Sequence, residues 1–329
     1  MEKIAFILGD LFINWSAIIR TLAAAAAVCL FLALYLRESG NMRAAFTVVP
    51  VAAVLSLATA RLLHWYCFEE NYESLMSAMT EFTEGGFALL GVFAGCLVAA
   101  VLTRILFLHR NLPQMLDCMC IAGSAGIAAG RLASFYNAAD RGQIVESVKT
   151  MPWVYPLKNS VSGVMEYRLA TFLHQAMVAA VLFAVLALVY ILGKKRRKDG
   201  DAALMFLLCY GASEILLDSM RYDSMYFRFN GFISIVQILG LVLMVLVMVV
   251  FSVRLVRVRG FRRWYLWLWA ALAAFLGLGG YMEYYVQRHG NQALFAYSVM
   301  GVCLVLLVLL TLVIRGLARN KVSSGGRYL

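Results

Sequence analysis

The chain predicts an all-α fold, a polytopic membrane protein of about nine transmembrane helices. Three observations carry this. Of the 329 residues, 63% are hydrophobic and 14% charged, against about 25% charged in an ordinary soluble domain. The mean hydropathy is +0.81. The apolar residues also gather in continuous runs that reach the ~20 helical residues of a bilayer crossing, without the alternation of an outer-membrane barrel.

The elements follow in order. The opening, MEKIAFILGDLFINW, has one lysine, a short apolar patch and then Asp10, with no convincing small-residue cleavage site. It reads as a segment lying at the membrane surface rather than a cleaved leader. Spans are expected at about 17–36, 45–64, 85–107, 114–136, 169–193, 202–220, 231–253, 264–281 and 294–315. The last two follow an arginine-rich loop and hold few polar residues. They read as an appended pair, which divides the chain into a core, residues 1–260, and a helix pair with a basic tail, 261–329.

Basic residues give the orientation. One set of loops carries Arg37 and Arg43, Arg104 and Arg110, the run KKRRKDGD at 194–201, the arginines from Arg254 to Arg263, and Arg315 and Arg319. The opposite loops carry Glu69, Glu70, Glu73, Glu81 and Glu84 and a mixed segment at 138–167. The positive-inside rule then puts the N-terminus outside and the C-terminus in the cytoplasm, in agreement with an odd number of spans.

The net charge of +11 lies mostly beside apolar runs, so it speaks for membrane topology and anionic lipid and against nucleic acid. The seven cysteines are scattered, and Cys118 and Cys120 have the wrong spacing for a zinc ribbon. No metal site and no cofactor is expected. No internal repeat of transporter type is visible.

With this topology, most polar groups embedded in spans fall at one depth, toward the outer leaflet. These are Arg20, Arg61, His64, Arg131, Asn137, Arg168, His174, Glu214, Asp218, Arg221, Ser234 and Gln237. Asp117 alone falls at an inner end. Charges at such depth usually face a bundle interior or a wet cavity and pair with one another. Glu214, Asp218 and Arg221 lie at i, i+4 and i+7 in the outer half of the sixth span, so all three share one helix face. A structural ion pair of Asp218 with Arg221 is one reading. A site for an anionic amphiphile, gripped through the planar fork of arginine, is the reading that accounts for the whole cluster. Gly91 with Gly95, and Gly126 with Gly130, are small-xxx-small pairs suited to close helix contact. Gly85-Gly86 suits a turn into a helix.

These residues resemble the bacterial prolipoprotein diacylglyceryl transferase family over about residues 15–255, with the last two spans outside the resemblance. LDCMCIAGSAGIAAGRLASFYNAADRG, 116–142, is similar to the family's signature region through Asp117, Gly126, Gly130, Arg131, Phe135, Asn137 and Gly142. ATARLLHWY resembles its Ala-Arg-Leu turn through Arg61, EGGFALLGVFAG its Gly-Gly segment, and CYGASEILLDSMR its sixth-span helix. GFISIVQILG matches a Ser and a Gln of the family through Ser234 and Gln237. The departures fall mostly on acid–base positions. Leu90 stands where the family carries His, Ser134 for an Asn, Ala139 for a Glu, Glu214 for an Arg, Asp218 for a Glu and Leu22 for a Tyr.

The resemblance implies transfer of a diacylglyceryl group from phosphatidylglycerol, or another anionic phospholipid, to the lipobox cysteine of prolipoproteins. It implies a bacterial plasma (inner) membrane protein with its site toward the outer leaflet. Arg131 and Arg221 are expected to hold the phosphate, with Arg61, Ser134, Asn137, Gly142, Ser234 and Gln237 as further substrate-binding residues. Asp218 or Glu214 is expected to take the thiol proton, with His64 and His174 as substitutes of the right chemical type. A related lipid transferase with another acceptor, or a non-catalytic phospholipid-binding relative, are the alternatives.

Overall fold

The computed structural model of the chain describes residues 4–8, 11–39, 41–80, 86–107, 111–137, 139–145, 154–158, 162–193, 198–228, 230–289 and 292–319. Glu81, Glu84, Gly85, Arg110, Ala138 and the basic run at 194–197 lie outside them. Among the described residues, nine helices are long and apolar enough to cross a membrane. The protein is an all-α multi-pass membrane protein.

The chain opens with an antiparallel hairpin, β1 (Ile4–Leu8) and β2 (Leu11–Asn14), where a surface segment was expected. Then come α1 (Trp15–Ser39), α2 (Met42–Cys67), the short α3 (Leu75–Thr80), α4 (Leu89–Leu106) and α5 (Leu112–Arg131). A second hairpin, β3 (Val154–Lys158) with β4 (Met165–Leu169), leads to α6 (Thr171–Leu192) and α7 (Asp201–Ser219). A third, β5 (Tyr226–Phe227) with β6 (Asn230–Ser234), precedes α8 (Ile235–Arg259), α9 (Tyr265–Arg288) and α10 (Ala293–Arg319). All helices but α3 are spans.

Two expectations are corrected here. The seventh span was read from about 231, but that stretch is strand β6, and the helix starts at Ile235. The sixth span was read through Arg221, yet α7 stops at Ser219. Arg221 instead forms an antiparallel bridge with Gly142. It therefore does not share a helix face with Glu214 and Asp218. Tertiary strand pairing has overridden helix continuation, as it does wherever packing outweighs local propensity.

The chain divides into two compact units. The first is Met1–Phe206 with Arg221–Val236. Its helices pack through small residues. At Gly91 an added Cβ would collide with the backbone of Ala60, and at Gly95 with that of Ser56, so α2 and α4 touch backbone to backbone. Two hydroxyls hydrogen-bond across this contact. Thr59 Oγ1 donates to the Gly91 carbonyl at 2.6 Å and Ser56 Oγ to that of Val92 at 3.2 Å. Gly126 and Gly130 similarly seat α5 on Ala27 and Ala23 of α1. Asp117, fully buried, has a structural role. Its carboxylate accepts from the Gly200 N–H at 2.8 Å and the Ala203 N–H at 2.7 Å, filling two of the orphan donors at the start of α7.

The second unit is Leu207–Met220 with Gln237–Leu329. Within it Gly211 of α7 and Gly240 of α8 approach closely. The α9–α10 pair is tied to the end of α7, because Ser219 Oγ donates to Glu283 at 2.8 Å and Tyr297 Oη donates to the Ser219 carbonyl at 3.2 Å.

Candidate functional site

Arg131 is the last residue of α5, followed by a 3₁₀ turn at Leu132–Phe135. The chain then folds back through a tight loop whose centre is Asp140. This is a residue the sequence reading passed over, one position beyond Ala139. Arg131 Nη1 meets Asp140 Oδ1 at 2.5 Å, and Arg221 Nη2 meets the same oxygen at 3.0 Å. Ser134 Oγ donates to Oδ2 at 2.9 Å. Two guanidinium groups thus converge on one carboxylate oxygen, and a hydroxyl holds the other. Arg20 of α1 lies within electrostatic reach of both Asp140 and Arg131.

The loop is built to hold that oxygen in place. Asp140 is the one described non-glycine residue with positive φ, +58°. Asp tolerates this left-handed conformation better than most residues. Its N–H donates to Asp223 Oδ2 at 2.8 Å, and its carbonyl accepts from Thr171 Oγ1 at 2.5 Å and the Phe172 N–H at 3.1 Å. Asp223 also accepts from Arg221 Nε at 3.0 Å. Burial alone would raise the Asp140 pKa. The charges of Arg131 and Arg221 and the hydrogen bonds from Arg131 and Ser134 outweigh it and hold the carboxyl well below the ordinary carboxylate range.

Arg141 points away from this pair. Its guanidinium lies over the rings of Tyr155 and Phe172, 4.1 and 4.5 Å from their centroids, and donates to the Ser134 and Asn137 carbonyls. Burial pushes its pKa down from the ordinary arginine value. Arg168 of β4 pairs with Glu166 at 2.8 Å and stacks over Tyr222. Both arginines clamp the loop.

The other expected site residues fall into several places. Asn137 uses Oδ1 to accept from the Ala139 N–H at 3.0 Å, an Asx turn. Gly142 donates to the Leu169 carbonyl at 2.8 Å and bridges Arg221, so both residues frame the loop. Ser234 is buried at the end of β6 in the first unit. Glu214, Asp218 and Gln237 belong to the second unit, all buried, with Gln237 Nε2 3.4 Å from the Ile215 carbonyl. His174, in the first turn of α6, has Nδ1 3.0 Å from the Ala170 carbonyl.

Arg61 lies in a separate constellation. It is fully buried near the end of α2. Nε donates to the Ala78 carbonyl, Nη1 to the Gly86 carbonyl at 3.0 Å and to Tyr72 Oη at 3.1 Å. Tyr72 Oη is also 2.9 Å from His64 Nδ1. His64, Asn71, Tyr72 and Gly86 line a cavity of about 390 Å³.

A sequence profile of the prolipoprotein diacylglyceryl transferase family matches residues 3–253. The chain belongs to that family. Among the relatives, the phosphatidylglycerol–prolipoprotein diacylglyceryl transferase of Finegoldia magna is 25% identical over 229 residues, covering 69% of this chain and 86% of that protein. That of Streptococcus sanguinis is 26% identical over 245 residues, 72% and 92% of the two chains. That of Streptococcus agalactiae is 27% identical over 252 residues, 73% and 93%.

Proposed function

We propose that this family member transfers the diacylglyceryl group of phosphatidylglycerol to the lipobox cysteine thiol of prolipoproteins. The observation that carries the reading is the convergence of Arg131 and Arg221 on one oxygen at the end of α5. In the reaction a thiolate attacks the glycerol carbon and the C–O bond to phosphate breaks. Negative charge grows on the leaving phosphate, and donors fixed in advance around it stabilise that charge. Arg131 and Arg221 supply such donors, and Asp140 fixes their spacing. Arginine suits this because its planar fork offers a phosphate two parallel hydrogen bonds. Ser134, Asn137, Gly142 and Ser234, all in the first unit, are proposed to shape the substrate site around them.

The helix parity supports one face for this chemistry. Among the described residues α2 and α5 are the second and fourth candidate spans, so on this reading they run the same way and end on one membrane face. We place that face outside, at the outer leaflet of the bacterial plasma membrane, because the basic loops fall on the other side. A reporter fused after residue 319 is expected on the cytoplasmic side. We also propose residues 1–260 as the transferase core and 261–329 as an appended helix pair.

The test is transfer of labelled diacylglyceryl from phosphatidylglycerol to a lipobox peptide in proteoliposomes. The wild-type protein is expected to transfer, and Arg221→Ala is expected to lose at least about 100-fold. Bound phosphatidylglycerol without any transfer would point to a non-catalytic lipid-binding protein. Transfer only to an acceptor lacking the lipobox would point to a different acceptor.

A further inference from the structure

We propose that His64 is the group that takes the proton from the acceptor thiol, with Tyr72 and Arg61 as its positioning residues. The inference rests on the transferase reading above. That reading requires a base, because a free thiol, with a pKa of about 8.5, is mostly protonated at neutral pH.

The observations are a cavity, a network and a docked segment. The cavity of about 390 Å³ is of a size that takes a small ligand or side chain. His64 lines it, beside Tyr72, Asn71 and Gly86. Among the described residues His64 Nδ1 meets Tyr72 Oη, and Nε2 has no hydrogen-bond partner. Tyr72 Oη accepts from Arg61 Nη1 at 3.1 Å and lies 2.9 Å from His64 Nδ1, a hydrogen bond whose direction depends on the imidazole tautomer. In the proposed tautomer Nδ1 carries the proton and donates to Tyr72 Oη. It leaves the lone pair on Nε2. Phe68 lies against the imidazole, ring centroids 4.8 Å apart, and limits its rotation.

Gly86, at the start of the described segment entering α4, lines the cavity. Gly86 has φ +81°, and a Cβ there would run into Tyr72 Oη, Arg61 Nη1 and His64 Cε1. The Ala88 N–H donates to the Ala60 carbonyl at 3.2 Å, which docks this segment on the last turns of α2. Leu90, next on the segment, offers no group that takes a proton. His64 lies in the last turn of α2 and Arg131 in the last turn of α5. Those ends share a membrane face, because a single span separates the two helices.

In the step itself, the S–H bond breaks and its proton bonds to His64 Nε2. The sulfur electron pair forms the C–S bond to the glycerol carbon. The C–O bond breaks, and its electron pair leaves on the phosphate oxygen of glycerol phosphate. The imidazolium returns its proton to that product or to solvent. No oxidant, reductant or metal enters the balance.

The test uses the full chain in phosphatidylglycerol proteoliposomes with a lipobox peptide. His64→Ala is expected to lower transfer by about 100-fold or more, with phosphatidylglycerol binding by native mass spectrometry unchanged. Added imidazole is expected to restore part of the rate, which a merely structural role would not allow. His64→Gln, close in shape but unable to take the proton, guards against a folding defect and is expected to be equally slow. Tyr72→Phe is expected to lower kcat about tenfold with KM unchanged. Full transfer by His64→Ala overturns the proposal while leaving the transferase reading intact. So does loss of transfer in Glu214→Gln with Asp218→Asn when His64→Gln keeps its rate. Absence of transfer by the wild-type protein overturns both.

Discussion

Two arginine constellations in the first unit do different work. At the end of α5, Arg131 and Arg221 meet a buried carboxylate, and the loop around Asp140 is tied by its backbone on both sides. At the end of α2, Arg61 donates to two backbone carbonyls and a phenol, beside a histidine and a cavity. The first arrangement fixes positive charge at one point, which suits stabilising a leaving phosphate. The second spends its charge on holding Tyr72 and Gly86 in place, which suits orienting a proton acceptor. In the proposed reading the same residue type serves binding in one place and scaffolding in the other. What its nitrogens touch decides which.

The comparison breaks most readily at Asp140. Removing one partner of a buried ion pair costs about 3–5 kcal/mol, because the remaining charge stays buried without compensation. Asp140→Ala is therefore expected to destabilise the protein by about that much, read as a fall in Tm in detergent. Asp140→Asn adds a pH test. The folded carboxyl sits below its ordinary value of 3.8, so its stabilisation is present in full above about pH 5 and is lost as pH falls through and below the ordinary range. The Tm gap between wild type and Asp140→Asn is expected to be widest near neutrality and to narrow in acid. A gap independent of pH would show that the charge contributes nothing.

The second constellation breaks at Gly86. Alanine there combines a left-handed backbone with a Cβ aimed at Arg61, Tyr72 and His64. Gly86→Ala is expected to cost more than about 1 kcal/mol and to slow transfer, whereas Gly163→Ala, with positive φ but open space around it, should show the backbone cost alone. Asp117→Ala should cost about 1–2 kcal/mol through the lost N-terminal cap of α7, with transfer by the folded protein unchanged. The smallest effect is expected at Tyr297→Phe. It removes one hydrogen bond to Ser219, worth about 1 kcal/mol, and a larger loss of transfer would bring the α9–α10 pair into the account of the active core.

The spans were legible in the sequence because a bilayer demands length and apolarity, and both are counted directly. Gly91 and Gly95 were legible as contact points for the same kind of reason, since only small residues let helix backbones meet. The loops were less legible. Arg221 was read on a helix because GASEILLDSMR continues a helical pattern, and only its pairing with Gly142 takes it off. Asp140 was missed because Ala139 occupies the position where the resembled family carries its acid. The left-handed φ of Asp140 is a backbone feature that no local sequence pattern announces. The Tyr72–His64 contact joins the end of α2 to the turn beyond it, and nothing in the spacing of the two residues fixes that geometry.

The central claim is that Arg131 and Arg221 grip the phosphate of the lipid donor. The most direct measurement is the rate at which Arg131→Lys, reconstituted in phosphatidylglycerol vesicles, transfers the diacylglyceryl group to a lipobox peptide. Lysine keeps the charge but loses the fork. A rate at least about 100-fold below wild type, in a protein that melts cooperatively, is the predicted result. Transfer at the wild-type rate would contradict it.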